Sequence, residues 1–372
     1  MLPEASIAID AVGIRSGGGQ SVLLGLIDAM CSEPRIQRIV IFASPPHRRD
    51  FGFVPHAKLV VIEQGWADRS YLHRCLWSEW GLSWACRSAG VSSVLCTTGT
   101  GLGRETPHIP YIQQSLPFEA GYQRALPPLQ RLRLIVLKML MARSCKRAER
   151  VVVQTAHMAR VVAKAFGVAP ERVVVAPPQV QRSVTASDCT EGVNAAEGIS
   201  GGRPLLLYVG SAARHKNLRV LLESIKGIRA HFPEASIVLT CLRPSSYPEP
   251  KGIVWLGALG RSTIFQLMRD ADALVMPSLY ETACLPLVEA MANGLPILAA
   301  DRPYAREICE DAAFYFDPDD PESLVRCCLN MLKGADVKNS LRVRGERRWR
   351  QLENAGGYGI AAREVLRRAG VV

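Results

Sequence analysis

Two carboxylates with seven residues between them, Glu281 and Glu289, bracket a polar loop and the start of a helix within PSLYETACLPLVEAMANGLP, Pro277 to Pro296. A loop running into a helix start offers free backbone N–H groups and the positive end of the helix dipole, so it can hold an anion. Carboxylates would repel that anion. Beside it, they are suited to accepting hydrogen bonds from hydroxyls, and hydroxyls flanking a phosphate describe a sugar nucleotide. A second anion site is readable upstream in SAARHKNL, where Ser211, Arg214 and Lys216 stand just ahead of a helix and supply charge directly. A third is the run Gly17-Gly18-Gly19 in RSGGGQ, where the lack of side chains lets backbone approach a phosphate closely. Taken one at a time, each also reads as an ordinary turn of an α/β protein.

Each of these loops needs a strand before it and a helix after it. ADALVMP is an apolar strand closing at Pro277, and Leu285 to Asn293 reads as a short helix stopped by Gly294 and sealed by Pro296. SIAIDAVG precedes the glycine run, with an apolar helix expected from about Ser21 to Met30, and PLLLYVG precedes the Lys216 loop. Further strands are expected at RIVIFAS, KLVVIEQ, SSVLCTT, PHIPYIQ, ASIVLT and GIVWLG, with strand, helix and strand in the segment Val151 to Pro178. After AAFYFD, the cluster DPDDPESL predicts a turn and a helix starting at Ser323 or a neighbour. Alternation of this kind implies parallel sheets with helices on both faces. The fold class expected is α/β, with two doubly wound Rossmann-like domains whose loops meet at a cleft beyond the carboxyl ends of the strands. The expected boundaries are 1–178, a linker at 179–203 rich in small and polar residues, a second domain at 204–345 and a helical tail at 346–372.

Composition restricts the classes of function. A chain of 372 residues with 48% hydrophobic and 21% charged residues suits two soluble globular domains. No apolar run reaches the roughly 18 residues that span a bilayer, and the first residues carry Glu4 and Asp10 with no basic residue, unlike a secretory signal. Eleven cysteines without paired metal-ligand spacing read as reduced thiols of a cytoplasmic protein. The net charge of +11 is lopsided: residues 1–178 hold 21 Lys and Arg against 12 Asp and Glu, the remainder 24 against 22. With no nucleic-acid motif present, a basic first half suggests an anionic membrane surface or an acidic substrate. The helix expected from about Leu129 to Arg147 carries Arg131, Arg133, Lys138, Arg143, Lys146 and Arg147. It reads either as a basic membrane-binding helix or as a domain helix with one buried face. Trp77, Trp80 and Trp84, at helical spacing, predict an aromatic face packed on a sheet.

The Pro277–Pro296 stretch resembles the donor-site signature of the family-4 retaining glycosyltransferases, in its two glutamates, its Leu285-Pro286 and its Glu289-Ala290-Met291-Ala292 followed by Gly294. Bacterial enzymes that build cell-surface polysaccharides are of this kind. The resemblance implies the GT-B fold and transfer of a hexose from a nucleotide diphosphate sugar, GDP-mannose or a UDP-sugar, to a hydroxyl of a saccharide or lipid-linked acceptor with retained anomeric configuration. It assigns Lys216, with Arg214 standing in for an arginine whose usual place is held by Ser211, to the donor diphosphate. It assigns Glu281 to the donor sugar's hydroxyls and sets Leu256-Gly257 beside the donor base. Cys284 and Leu285 lie at the diphosphate, and Gly18 and Gly19 face the cleft. Glu289 is the residue placed to hold the ribose diol. Two departures stand out: Cys284 replaces the usual glycine, and Gln113 and Gln114 occupy the acceptor side where many relatives carry a histidine, His108 lying upstream.

The resemblance implies no cofactor and no metal, since a metal-binding DxD belongs to another glycosyltransferase fold and Asp270 and Asp272 fall where a helix gives way to a strand. It also implies that the 346–372 tail crosses back to the first domain. The reduced thiols and the basic first half suggest the cytoplasm, at the inner face of a membrane, with no nucleic-acid partner. Two other readings stay open: a silent GT-B scaffold that only binds a sugar nucleotide, and an oxidoreductase on doubly wound domains. The second lacks GxGxxG and has Ala43 and Ser44 where an NAD site wants an acid.

Overall fold

A computed structural model describes residues 5–14, 17–45, 56–101, 107–180 and 203–371. Almost all of the expected linker, together with Arg15 and Ser16 of the glycine loop, lies outside them. The chain divides into two compact units, Met1–Gln179 with Ala355–Val372, and Val180–Asn354. Each is built on one all-parallel sheet, the α/β architecture expected from strand–helix alternation.

The first unit's strands are β1 (Ala5–Ala11), β2 (Ile36–Ala43), β3 (Leu59–Glu63), β4 (Ser93–Cys96), β5 (His108–Ile112), β6 (Val151–Val153) and β7 (Val173–Val175). They lie in the order β3-β2-β1-β4-β5-β6-β7. Ile9 in β1 is level with Ile41 on one side and Leu95 on the other. Central strands covered on both faces read as near-continuous apolar runs, as in IAI of β1 ahead of Asp10 and IVIFA of β2 after Arg38. The helix Gly18–Cys31 buries Val22, Leu23, Leu26, Ile27 and Met30.

The last helix of the chain, Gly357–Arg368, belongs to this unit. It buries Ala361, Ala362, Val365 and Leu366, and Ser93 donates from its hydroxyl to the Val365 carbonyl at 2.9 Å. A Cβ on Gly25 would collide with the Tyr358 ring, and one on Gly357 with the Pro177 carbonyl, so glycine is required where this helix docks. The preceding helix, Ala335–Asn354, stays in the second unit, so the return begins at Ala355 rather than at 346.

The second unit holds β8 (Leu205–Tyr208), β9 (Ser236–Leu239), β10 (Ile253–Trp255), β11 (Ala273–Met276), β12 (Ile297–Ala300) and β13 (Ala313–Phe316), ordered β10-β9-β8-β11-β12-β13. Both sheets reverse direction of growth beside their first strand, at β1/β4 and at β8/β11. That is the topological switch point where doubly wound sheets open a crevice at the carboxyl ends of their strands. After β13 the helix Pro321–Leu332 starts at Asp320, whose carboxylate accepts from the Glu322 N–H at 3.0 Å. The start is therefore set by Asp320, with Ser323 bonding back to the Asp317 N–H at 3.0 Å. No helix among the described residues is long and apolar enough to cross a membrane.

Candidate active site

The two loops at the β8/β11 switch point are locked to each other. After β8 the chain makes one 3₁₀ turn, Arg214–Lys216, that ends at Asn217 with φ of 53°. Asn tolerates this left-handed conformation better than most residues, and its side-chain amide donates to the Pro318 carbonyl at 2.8 Å. From the other loop, the Leu279 N–H donates to the His215 carbonyl at 2.8 Å. Tyr304 supports that loop from below through a 2.8 Å bond to the Ser278 carbonyl. The outcome is that Lys216 and Glu281, 65 positions apart in the chain, form a direct ion pair.

That pair sets the local electrostatics. The Lys216 and Glu281 side chains are only 18% and 14% exposed. Burial pulls the Lys216 ammonium down, but the Glu281 carboxylate outweighs it and the net shift is upward, so Lys216 stays charged. Burial, followed by the neighbouring Lys216 charge, pushes the His215 imidazole below its usual range. A fixed cation thus stands at the carboxyl edge of the sheet with a neutral histidine beside it.

Cys284 precedes the helix Leu285–Ala292 and adopts φ of 53°, a left-handed conformation that glycine would take without strain. Its thiol is buried, and burial raises its pKa well above the ordinary value. Pro286 removes one donor from the helix's first turn, and the Leu287 N–H bonds the Cys284 carbonyl at 3.0 Å. Cys284 and Leu285 are therefore the donors left for an anion at this helix start. Glu289, further along the same helix, is buried, and burial raises its carboxyl pKa while the Arg261 charge pulls it back. Arg261 opens the helix that follows the Leu256-Gly257 turn, with its guanidinium 5.2 Å from the Phe265 ring centroid. Gly257 has φ of 78°, and a Cβ there would press on Leu242 at 3.3 Å.

Not every expected residue joins this cluster. Arg214 is exposed on the 3₁₀ turn, and Ser211 is exposed, its carbonyl taking a 2.7 Å bond from the Tyr208 hydroxyl. Asp272 of the DxD accepts from the Leu205 N–H at 2.9 Å and pairs with Lys338 at 2.9 Å, which ties the helical segment Ala335–Asn354 to the sheet. In the first unit, Gly18 and Gly19 are the first two helical residues, with Gly17 before them at φ of 69°. Gln113 donates to the Thr97 carbonyl at 3.0 Å, bridging the ends of β5 and β4, while Gln114 is exposed. His108 is buried in β5 against the Ser144 carbonyl at 3.3 Å.

Two residues escaped sequence reasoning. Arg261 carries the charge that counters burial at Glu289, and nothing in GRST marks it. Asp10 is fully buried in β1, where its carboxyl accepts from the Trp77 indole at 3.0 Å and the Val12 N–H at 3.2 Å. Burial pushes its pKa up to about 7. A lone acid within an apolar strand run was the available signal.

Residues 192–348 match the family model described as "Glycosyl transferases group 1", a span of less than half the chain. The D-inositol 3-phosphate glycosyltransferase of Nocardia farcinica is 29% identical over 170 residues, 41% of this chain and 38% of that one. The O-antigen chain mannosyltransferase RfbU of Salmonella typhimurium is 25% identical over 199 residues, 51% of this chain and 52% of that one. The chain thus aligns with about half or less of the length of these relatives. Anabaena Alr3699/HepE, solved in complex with UDP-glucose, superposes with a TM-score of 0.71 at 14% identity, covering 98% of this chain and 100% of that one. The fold is GT-B: two Rossmann-like units.

Proposed function

We propose that this chain is a retaining glycosyltransferase that moves a hexose from a nucleotide diphosphate sugar to a hydroxyl of a saccharide or lipid-linked acceptor, in the assembly of a cell-surface polysaccharide. The observation that carries the reading is the Lys216–Glu281 ion pair at the β8/β11 switch point, beside a helix start entered through left-handed Cys284. The family match to residues 192–348 and the names of the relatives support it.

The roles follow from where charge develops. When the glycosidic bond to the donor breaks, negative charge collects on the β-phosphate of the leaving nucleotide. Lys216, already cationic and fixed, stabilises that charge without reorganising. The N–H groups of Cys284 and Leu285 add dipoles at the helix start, and exposed Arg214 supplies a second charge. Glu281, held by Lys216, orients the sugar's hydroxyls. Glu289 accepts from the ribose diol, and Arg261 helps keep it ionised. Leu256 and Gly257 border the base, and Ser211 lies on the diphosphate loop. No metal is required, because Lys216 supplies the countercharge.

The test is a thermal-shift screen with UDP, GDP and ADP, followed by incubation with the matching sugar nucleotides and an acceptor. A ligand at about 100 times its dissociation constant stabilises by about 2.7 kcal/mol, so the correct nucleotide should stand apart. Nucleotide release with an anomerically retained product is the result expected. Binding without release under any acceptor would leave a silent scaffold, and binding of none of the three would remove the reading.

A further inference from the structure

The loop after β9 holds an apolar side chain out in solvent on a braced backbone. Leu242 is 77% exposed, more than any other large apolar residue among those described. Its neighbours in the chain are tied down. Cys241 before it is buried, and the Thr240 hydroxyl accepts from the Gly210 N–H at 3.3 Å, joining the end of β9 to the end of β8. Arg243 after it donates to the Tyr247 carbonyl at 3.2 Å and pairs with Glu249 at 3.5 Å, which closes the loop on itself. Tyr247 leans in turn on Trp255 at the end of β10, with ring centroids 6.3 Å apart.

Leu242 lies over the turn that follows β10. A Cβ added to Gly257 would stand 3.3 Å from the Leu242 Cδ2, so glycine there lets the leucine rest on bare backbone. Sheet order sets these positions in a line. β10, β9, β8 and β11 are neighbours in that order and run parallel, so the loops that follow them open at one edge. Along that edge come Leu256-Gly257, then Leu242, then Lys216, then Glu281. Strands lie about 4.8 Å apart, which puts about 10 Å between β10 and β8. A nucleotide reaches about that far from its base to its diphosphate.

We infer that Leu242 is a base-binding residue, its side chain lying against one face of the donor's nucleobase. This rests on the donor reading, which sets the diphosphate at Lys216 and the base at the turn after β10. The chemistry of the side chain selects the part of the ligand. A nucleobase offers a flat π-face that gains by leaving water together with an exposed isobutyl group, whereas ribose and phosphate offer polar surface. The occupant is a planar heteroaromatic ring, and Leu242 contributes nothing to a ligand that lacks one.

The experiment is titration calorimetry of the full chain, wild type against Leu242→Ala, with UDP, GDP, ADP and inorganic pyrophosphate as probes. Whichever nucleotide the wild-type chain binds should lose about 5- to 30-fold in affinity. Pyrophosphate should not distinguish the two proteins, and the melting temperature of the free protein should not move, since Leu242 buries little there. Leu242→Met keeps an apolar arm of similar size and should retain most of the affinity. Leu242→Asn, polar at similar volume, should lose as much as Leu242→Ala. Equal nucleotide affinity in wild type and Leu242→Ala overturns the inference and leaves the donor reading standing. So does an equal loss for pyrophosphate, which would make Leu242 a prop of the diphosphate loop. Failure of the wild-type chain to bind any of the three nucleotides removes the donor reading, and this inference with it.

Discussion

Lys216→Ala separates chemistry from architecture at the switch point. The substitution removes the cation proposed for the leaving phosphate, and loss of one such preorganised stabiliser typically costs about 10²–10³ in turnover. It also strands Glu281, whose side chain is 14% exposed. Stripping one partner from a fully buried pair costs roughly 3–5 kcal/mol. Partial solvent access lowers that here to about 2–3 kcal/mol, a fall of roughly 5–10 °C in the melting temperature of a unit this size. Lys216→Ala/Glu281→Gln leaves no orphaned charge, so most of the stability should return. Its transfer rate should stay as low as that of the single variant or lower. The assay is paired calorimetry and nucleotide-release kinetics at saturating donor. Recovery of the rate along with the stability would refute the reasoning, because Lys216 would then matter only as Glu281's partner. A Lys216→Ala enzyme with undiminished turnover would refute it more directly.

Glu289→Gln should weaken binding of a nucleoside and its diphosphate about equally, by about 10- to 150-fold, whereas Lys216→Ala should spare the nucleoside. Titration calorimetry that finds Glu289→Gln selective for the diphosphate would misplace Glu289. Because burial raises the Glu289 pKa, wild-type affinity should fall on acidification from above the usual glutamate range, and Glu289→Gln should show no such step. Asp10 titrates near 7 in the folded state against 3.8 as its ordinary value, so the fold holds a proton that the unfolded chain gives up between those values. Its contribution is full below about pH 4 and is lost as pH rises through about 7, up to about 4 kcal/mol. Asp10→Asn, which keeps an acceptor for Trp77 and Val12, should flatten that slope in denaturant titrations across the range, and an unchanged slope would acquit Asp10. Gly25→Ala should cost about 1–3 kcal/mol by driving a methyl into the Tyr358 ring; an unshifted melting curve would mean the last helix is not seated there.

The strands were legible because each is an apolar run cut off by Gly, Pro or polar residues, and burial on both faces leaves no other reading for segments such as IVIFA or ALVM. Strand order was not spelled out, yet the alternation with helices entails switch points. Those switch points bring Lys216 and Glu281 into contact across 65 positions. Reading fails where phase or distant charge decides. Helical spacing puts Trp77, Trp80 and Trp84 on one face, but a π turn at Trp77–Gly81 rotates Trp77 inward and leaves the other two outside. The charge that acts on Glu289 comes from Arg261 on another helix, a relation no local pattern encodes. Cys284 could be seen to replace a glycine; that it takes the left-handed conformation all the same follows from the geometry of the helix start.

The return of helix Gly357–Arg368 to the first unit has a consequence for biosynthesis. Residues 1–179 leave the ribosome early, but the helix that covers Gly25 and Ser93 is translated only after all of Val180–Asn354. The continuous second unit can complete its fold while the first still waits with an apolar seat uncovered, reversing the usual amino-to-carboxyl order of domain folding. A chain truncated after Asn354 should accordingly carry a protease-resistant second unit and a first unit that still recruits chaperones, and restoring the last helix should cover that apolar seat.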